Sequence, residues 1–163
     1  MNISTNRYIG TCVYILLATG LLGGHTAHAS LTVCKSGCDY TDIQDAVTDA
    51  SDGEIIQIQQ GIFTGPVTIE NKNLTLRGAG SGMTIIDRGP SVNSDPPPPT
   101  IVVSCTHSNH EINISNVTIS GEAPFQGSGG GGLVNESCNV KLVNTLITNN
   151  ARRINGNSTH NGI

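Results

Sequence analysis

The pattern of apolar and polar residues divides the chain into three parts. The first is an apolar run from Ile9 to Leu22 that contains no charged residue. A short segment with helical periodicity follows at about residues 42–50. From Gly53 onward, very short segments alternate apolar with polar residues and are separated by glycine or asparagine. This last pattern predicts many short strands joined by turns.

The first part has the features of a secretory signal peptide. Arg7 is the only charged residue before Lys35, and Ala27-His28-Ala29 is a small-x-small cleavage site. Glycine and threonine interrupt the apolar run, whereas about 20 clean apolar residues are needed to cross a bilayer. We therefore predict a signal peptide at 1–29, a mature domain at 30–163 and no membrane span after cleavage. An uncleaved membrane anchor is the alternative.

The helical segment predicts a short α-helix at about residues 42–50. Thr41 is the expected N-cap, and Gln44 three residues later completes a capping-box pattern. Asp42 and Asp45 suit the positive end of the helix dipole. The apolar residues at helical spacing are Ile43, Ala46, Val47 and Ala50. They define one face that can cover a neighbouring apolar surface.

The strand segments repeat with a period of roughly thirty residues, which is within the range of solenoids. The aligned stretches are 67–78, 101–121 and 133–149, and a fourth is expected to begin at 161–163. Stacking coils about 4.8 Å apart pairs their backbones and joins their apolar sides into one core. We therefore predict an all-β fold, a right-handed parallel β-helix (solenoid), with the helix capping its N-terminal end.

Several segments interrupt the coils and are expected to form loops. The proline-rich segment 90–100 is unsuited to a strand and should run outside the coils. The glycine-rich segment 126–132 is a flexible lead into the third repeat, and residues 106–110 are an insertion that should protrude. At the C-terminal end we expect more β-helix to continue or cover the last coil, because a cut coil exposes apolar residues and strand edges.

Four of the five cysteines remain after signal cleavage, and an even number in an exported chain favours disulfides over metal. They are Cys34, Cys38, Cys105 and Cys138, which allow three pairings. Cys34 with Cys38 is the local pairing. The repeats place Cys105 over Cys138, close enough for a disulfide.

The repeats also align Asn116 with Asn144. If the coils stack, these two residues lie one above the other at a bend and can form an amide ladder. Simple turn chemistry explains asparagine at the same positions without a ladder. Both interpretations are open at this point.

Two segments carry metal-ligand atoms, but each has a simpler explanation. Residues 105–110 hold a thiol and two imidazoles, which are zinc donors, yet they also read as a polar loop beside a disulfide. The acidic residues from Asp39 to Glu54 could bind calcium, but their helical spacing is typical of a solvated helix face. We therefore predict no metal and no other cofactor.

Charge and aromatic content narrow the choice of partners. Seven basic and twelve acidic residues follow Ala29, a net charge of −5, which disfavours nucleic acid and anionic lipid. The mature chain has no Trp, and Tyr40, Phe63 and Phe125 are its only aromatic residues. These are too few for a stacking platform under sugars. The remaining expected partners are polysaccharide or cell-surface components.

Several motifs resemble those of known β-helix proteins. Residues 39–47, 61–64 and 73–80 resemble the opening segment of pectin-lyase-like β-helix proteins, and pectinesterases share a similar opening. Residues 129–135 followed by 146–151 are similar to the repeats of bacterial surface β-helix proteins, including polymorphic outer-membrane proteins. The resemblance implies the fold, and it leaves function open because many activities occupy this scaffold.

The catalytic residues of those enzymes have no match in this sequence. Pectinesterases use paired aspartates and an arginine, with one aspartate in an Asp-Phe dipeptide, and neither Phe63 nor Phe125 follows an aspartate. The acids in residues 101–150 are Glu111, Glu122 and Glu136, and they do not recur at stacked positions. Acid–base chemistry needs two carboxylates near one another. Calcium-binding acids like those of pectate lyases are not found either, so we predict no catalytic residue.

These observations favour an exported, non-catalytic β-helix protein that acts as a scaffold or adhesin-like segment. The expected location is secreted, or on a bacterial cell surface at the outer membrane. The alternative is a pectin-lyase-fold lyase, hydrolase or esterase of acidic polysaccharide, with its catalytic coils missing from this chain. A sugar-binding module is a third hypothesis, which the shortage of aromatic residues disfavours.

Overall fold

The computed structural model describes residues 30–89, 98–121, 131–149, 151–154 and 158–161. The predicted signal peptide, most of the proline-rich segment 90–100 and most of the glycine-rich segment 126–132 lie outside the described residues. Glu122 and Phe125 lie outside them as well.

Short strands, numbered in chain order, form three parallel sheets. Sheet A contains β1 (Ser30–Val33), β2 (Glu54–Ile58), β5 (Leu74–Gly78), β8 (Glu111–Ser115) and β11 (Asn139–Val143). Sheet B contains β3 (Gly61–Thr64), β6 (Thr84–Asp87), β9 (Thr118–Ser120) and β12 (Leu146–Thr148). Sheet C contains β4 (Val67–Glu70), β7 (Ile101–Ser104) and β10 (Leu133–Glu136).

Each coil of the chain visits sheets A, B and C in turn. The strands of successive coils pair in parallel, with β2, β5, β8 and β11 stacked in that order. The prediction of an all-β parallel β-helix is therefore confirmed. The five-stranded sheet A and its two partner sheets enclose a single apolar interior.

The core consists of rows of inward side chains that run from coil to coil. In sheet A, Ile56, Leu76, Ile114 and Leu142 form one such row. The first three are fully buried, whereas Leu142 is 40% exposed. No described strand of sheet A lies beyond β11, so Leu142 lacks the apolar cover that its equivalents have.

The end of the described chain differs from the sequence-based expectation. β13 (Ala151–Ile154) and β14 (Ser158–Asn161) form an antiparallel pair. Asn161, where a fourth repeat was expected to begin, is therefore paired with Ala151 instead. The intervening chain is short, and closing a short loop costs less conformational entropy than winding a further coil. Residues 162 and 163 lie outside the described part.

The cap helix α1 (Ile43–Asp49) lies at the N-terminal end, as predicted, and buries Ile43, Ala46 and Val47. Its N-cap, however, is Asp42 and not Thr41. Asp42 Oδ1 accepts a hydrogen bond from the Gln44 backbone N–H at 2.7 Å. Because the helix begins at Ile43, only the preceding side chain is placed to reach that N–H group.

The corner between sheets A and B contains the aligned asparagines. Asn116 and Asn144 have φ angles of 57° and 48°, in the left-handed region that asparagine tolerates well. Asn144 Nδ2 also donates to Asn116 Oδ1 at 3.2 Å. Both explanations left open by the sequence therefore apply. The left-handed backbone of each asparagine suits the turn, and their side-chain amides are hydrogen-bonded to each other.

Two disulfides fit the pairings expected from the sequence. Cys34 is bonded to Cys38, with a Cα–Cα distance of 5.6 Å. Cys105 is bonded to Cys138 across neighbouring coils, with a Cα–Cα distance of 5.2 Å. The second bond joins the end of β7 to the turn after β10, so it links the coils where sheet C passes into sheet A.

Candidate functional site

Face C, the outer surface of sheet C, is the part of the solenoid flanked by the longest connections. The chain passes from sheet B to sheet C through residues 88–100 and 121–132, and from sheet C to sheet A through residues 105–110. The corner between sheets A and B is tighter, with only Asn116 and Val117 between β8 and β9. Binding residues concentrate where loops surround a rigid strand surface, so face C is the candidate site.

Two rows of side chains make up face C. The strand register aligns Thr68 with Val102 and Val134 in one row, and Glu70 with Ser104 and Glu136 in the other. Ser104 Oγ donates to Glu136 Oε2 at 3.2 Å. Both carboxylates are exposed.

The row that contains Glu70 and Glu136 was missed from the sequence. The acids compared for stacking lie within residues 101–150, whereas Glu70 lies in an earlier coil. Aligning Val67-Thr-Ile-Glu70 with Leu133-Val-Asn-Glu136 would have brought the two carboxylates to one column. Glu70 and Glu136 thus share one row, with Ser104 between them, whereas Glu111 and Glu136 occupy different rows.

The chemistry open to this row is limited by its geometry. Glu70 and Glu136 are two coil spacings apart, or roughly 10 Å between backbones. Both side chains face solvent. Thr68, Val102 and Val134 form the neighbouring row, so within the described strands no cation or imidazole lies on face C. Lys72, just after β4, lines the groove that Glu70 borders. The row can accept hydrogen bonds from hydroxyl groups.

Helix α1 borders face C at the N-terminal end of the solenoid, next to β4. Gln44 Oε1 accepts from the Thr68 backbone N–H at 2.6 Å, and Gln44 Nε2 donates to the Thr68 carbonyl at 3.2 Å. β4 is the edge strand of sheet C, so this side-chain amide takes the place of a neighbouring strand. Gln44 therefore has a different role from the capping box expected from the sequence.

Lys72 fixes the other end of the same helix. Its ammonium group donates to the carbonyl oxygens of Val47 at 2.8 Å, Thr48 at 3.3 Å and Ala50 at 2.7 Å. A cation at the C-terminal end of a helix neutralises carbonyls that have no partner within the helix. The groove between α1 and β4 has a volume of about 350 Å³ and is bordered by both Gln44 and Lys72. The polar groups of Gln44 and Lys72 are engaged by the backbone, and the exposed Glu70 carboxylate also lines this groove.

We expect Gln44→Ala to lower the free energy of unfolding by about 1–3 kcal/mol, because it leaves one N–H and one carbonyl of the β4 edge without partners. Gln44→Glu should fall between Gln44→Ala and the unchanged protein, because it keeps the acceptor and loses the donor. Urea unfolding measures all three. A loss below about 0.5 kcal/mol for Gln44→Ala would contradict the edge-pairing role, since surface substitutions commonly cost that little.

The loop 105–110 does not assemble the suggested zinc ligands. Cys105 is consumed by its disulfide, and Thr106 donates through both its N–H and its hydroxyl to Asn71 Oδ1 at 2.7 and 2.9 Å. Asn139 Nδ2 donates to the Ser108 carbonyl at 2.6 Å. The loop is thus held against the coils on either side. In the ranges that the structure describes, no group of three or more His, Cys, Asp or Glu residues could hold a metal ion.

The acidic residues from Asp39 to Glu54 are engaged separately and do not form one cluster. Asp39 accepts from Thr32, Asp42 from Gln44, Asp49 from Tyr40, Asp52 from Asn73 and Glu54 from Ser51. The hydrogen bonds from Asn73 hold the pKa of Asp52 below its ordinary value. Those from Thr32 do the same for the pKa of Asp39. These carboxylates close turns and cap the helix.

No family model matches this chain, and no curated protein sequence matches it. Its structure is similar to that of a pectin methylesterase mutant solved in complex with a hexasaccharide, with a TM-score of 0.60 and 18% sequence identity. The match covers 71% of this chain and 42% of the esterase chain, so this chain spans less than half the length of that protein. Among the described residues, no helix has the length and apolar character required to cross a bilayer. The similarity to the esterase structure shows that the two chains share the parallel β-helix fold.

Proposed function

We propose that this chain is an exported, non-catalytic β-helix protein that acts as an extracellular or cell-surface scaffold or adhesin-like segment. The observation that carries the proposal is the make-up of face C. Face C lies between the longest connections along the chain, and its described strands present two exposed carboxylates separated by Ser104, beside a row of Thr68 and two valines. A polysaccharide can lie on such a surface and exchange hydrogen bonds with it, without meeting an acid–base pair.

Export is supported by two independent features. The N-terminal sequence has an apolar run followed by a small-x-small site after residue 26. The two disulfides suit an oxidising compartment outside the cytoplasm.

Incubation with pectin and alginate tests the non-catalytic role. Three readouts cover the reactions of the rival hypothesis: methanol release for an esterase, new reducing ends for a hydrolase and unsaturated products for a lyase. We expect no signal above the buffer control in any of them. Reproducible turnover that is abolished by Glu136→Gln and retained by Ser115→Ala, an outward residue of sheet A, would overturn the proposal.

The second candidate function is an enzyme of acidic polysaccharide with this fold. It is favoured by one finding, the similarity to a pectin methylesterase over 71% of this chain. Under this alternative, Glu70 and Glu136 are the carboxylates to substitute first, because they share a row on the loop-flanked face. The same assays decide between the two candidates.

A further inference from the structure

Among the side chains that the structure describes, the exposed cations lie on one side of the solenoid. The basic side chains that the structure describes are Lys35, Lys72, Arg77, Arg88 and Lys141. Lys72 is committed to the helix carbonyls, and Arg88 is buried with 4% exposure. The other three are exposed, and they lie on face A, the outer surface of sheet A, or at its corner with sheet B.

The strand register fixes the spacing of these charges. Arg77 lies on β5 and Lys141 on β11, with β8 between them. Their axial separation is therefore two coil spacings, or roughly 10 Å. Lys141 is also offset by two residues along the strand, or roughly 7 Å, because Val143 is the residue in register with Arg77. Lys35 follows β1 at the capped end, with its Nζ 4.7 Å from the centre of the Phe63 ring. It extends the positive strip toward the corner between sheets A and B.

Both central cations are available to a ligand. Within the described part of the chain, the side chains of Arg77 and Lys141 form neither an ion pair nor a hydrogen bond. Lys141 also borders an open groove of about 530 Å³ at the corner between sheets C and A, which Glu111 lines as well. A guanidinium and an ammonium without protein partners can bind a carboxylate or sulfate group through charge-assisted hydrogen bonds.

Uncharged hydrogen-bonding groups surround the two cations. Gln57 and Ser115 are the neighbours of Arg77 in its row, and Thr75 and Asn113 precede Lys141 in the next row. The carboxylates of this side lie toward its margins. Glu111 starts β8, Asp52 precedes β2 and Asp39 is bonded to Thr32 at the capped end.

We propose that face A binds a linear polysaccharide that carries one acidic group on every second sugar and crosses the coils obliquely from Arg77 to Lys141. The cations recur at every second coil, which matches one charge per disaccharide. The uncharged positions between them would face the neutral sugars. A polymer with an acid on every sugar would place half its charges opposite groups that cannot neutralise them. The far denser phosphates of a nucleic acid would be repelled by the net charge.

This inference rests on the proposed function in that it names the polysaccharide class that such a scaffold would hold. It assigns binding to face A, whereas the non-catalytic role was argued from face C. The two can therefore fail separately, and each has its own readout.

Titration calorimetry with three oligosaccharides of equal length tests the inference. The probes are a hyaluronan oligomer, with one carboxylate per disaccharide, an oligogalacturonate, with one per sugar, and a neutral N-acetylglucosamine oligomer. We expect the hyaluronan oligomer to bind most tightly and its affinity to fall as salt is raised. Arg77→Gln and Lys141→Gln should each weaken binding about threefold, and the double variant about tenfold, as expected for exposed charge contacts.

Thr64→Ala, at an exposed position on the outer surface of sheet B, is the control and should leave hyaluronan affinity unchanged. Equal affinity in the double variant and the unchanged protein would overturn the inference, as would equal binding of the neutral oligomer. A loss of binding in Thr64→Ala alone would move the site to sheet B and also reject it. None of these outcomes affects the cleavage assays, whereas turnover of pectin together with intact face A binding would reject only the non-catalytic role.

Discussion

Replacing Cys105 and Cys138 together by alanine is expected to lower the free energy of unfolding by about 4 kcal/mol. The two cysteines are separated by 33 residues, so their bond restricts a long loop in the unfolded chain. Their side chains are also buried, at 6% and 8% exposure, and a break there loosens the contact between neighbouring coils. Guanidinium unfolding under non-reducing conditions measures the loss. Hydrogen exchange should show faster opening of β10 and β11 than of β2.

The double substitution of Cys34 and Cys38 by alanine is the matched control. These cysteines are separated by only 4 residues, and the loop-entropy relation assigns their bond about 2 kcal/mol. Equal losses in the two double variants would contradict the loop-length argument. Unchanged exchange in β10 after removal of the long-range bond would show that stacking alone holds this coil.

The substitution Ile114→Ala is expected to cost about 3–4 kcal/mol, because it removes a fully buried side chain from the middle of sheet A. Ile114 lies between Leu76 and Leu142 in an inward row, so the cavity is enclosed from both sides. Neighbouring coils are fixed by backbone pairing and can close the gap only in part. Urea unfolding at neutral pH gives the change directly.

Leu142→Ala tests the same row where the cover is incomplete. Leu142 is 40% exposed, so truncation removes less buried surface and should cost about 1 kcal/mol. A similar cost for both variants would indicate that Leu142 is covered in solution and that β11 does not lie at the edge of sheet A. The difference between the two variants therefore reports on the end of the described solenoid.

The features predicted correctly from the sequence depend on short-range patterns. Alternating residues such as those of β4 and β5 predict strands, and the helical spacing around Ile43 and Val47 predicts α1, because burial of one face requires these periods. The sequence predicted Thr41 as the N-cap, whereas the structure has Asp42. Both residue types can cap a helix, and only the packing of Ile43 decides where the first turn begins.

The candidate site was harder to predict because its members come from different coils. Glu70 and Glu136 come to lie in one row only through the pairing of β4, β7 and β10. Gln44 lies far from Thr68 in sequence, and nothing in the local pattern indicates that its amide replaces a strand. Connections of unequal length separate the coils, so sequence distance alone does not show which residues share a row.

By itself, the sequence determined the period of the coils, the cap helix, the alignment of Asn116 with Asn144 and the pairing favoured for Cys105. All four follow from local periodicity and repetition, which are properties of the chain before it folds. The tertiary structure alone decided which polar side chains share a face, including the row of Glu70, Ser104 and Glu136 and the spacing of Arg77 from Lys141. The physical reason is register: shifting a strand by one residue moves every side chain to the opposite face, so function depends on contacts that only the stacked coils establish.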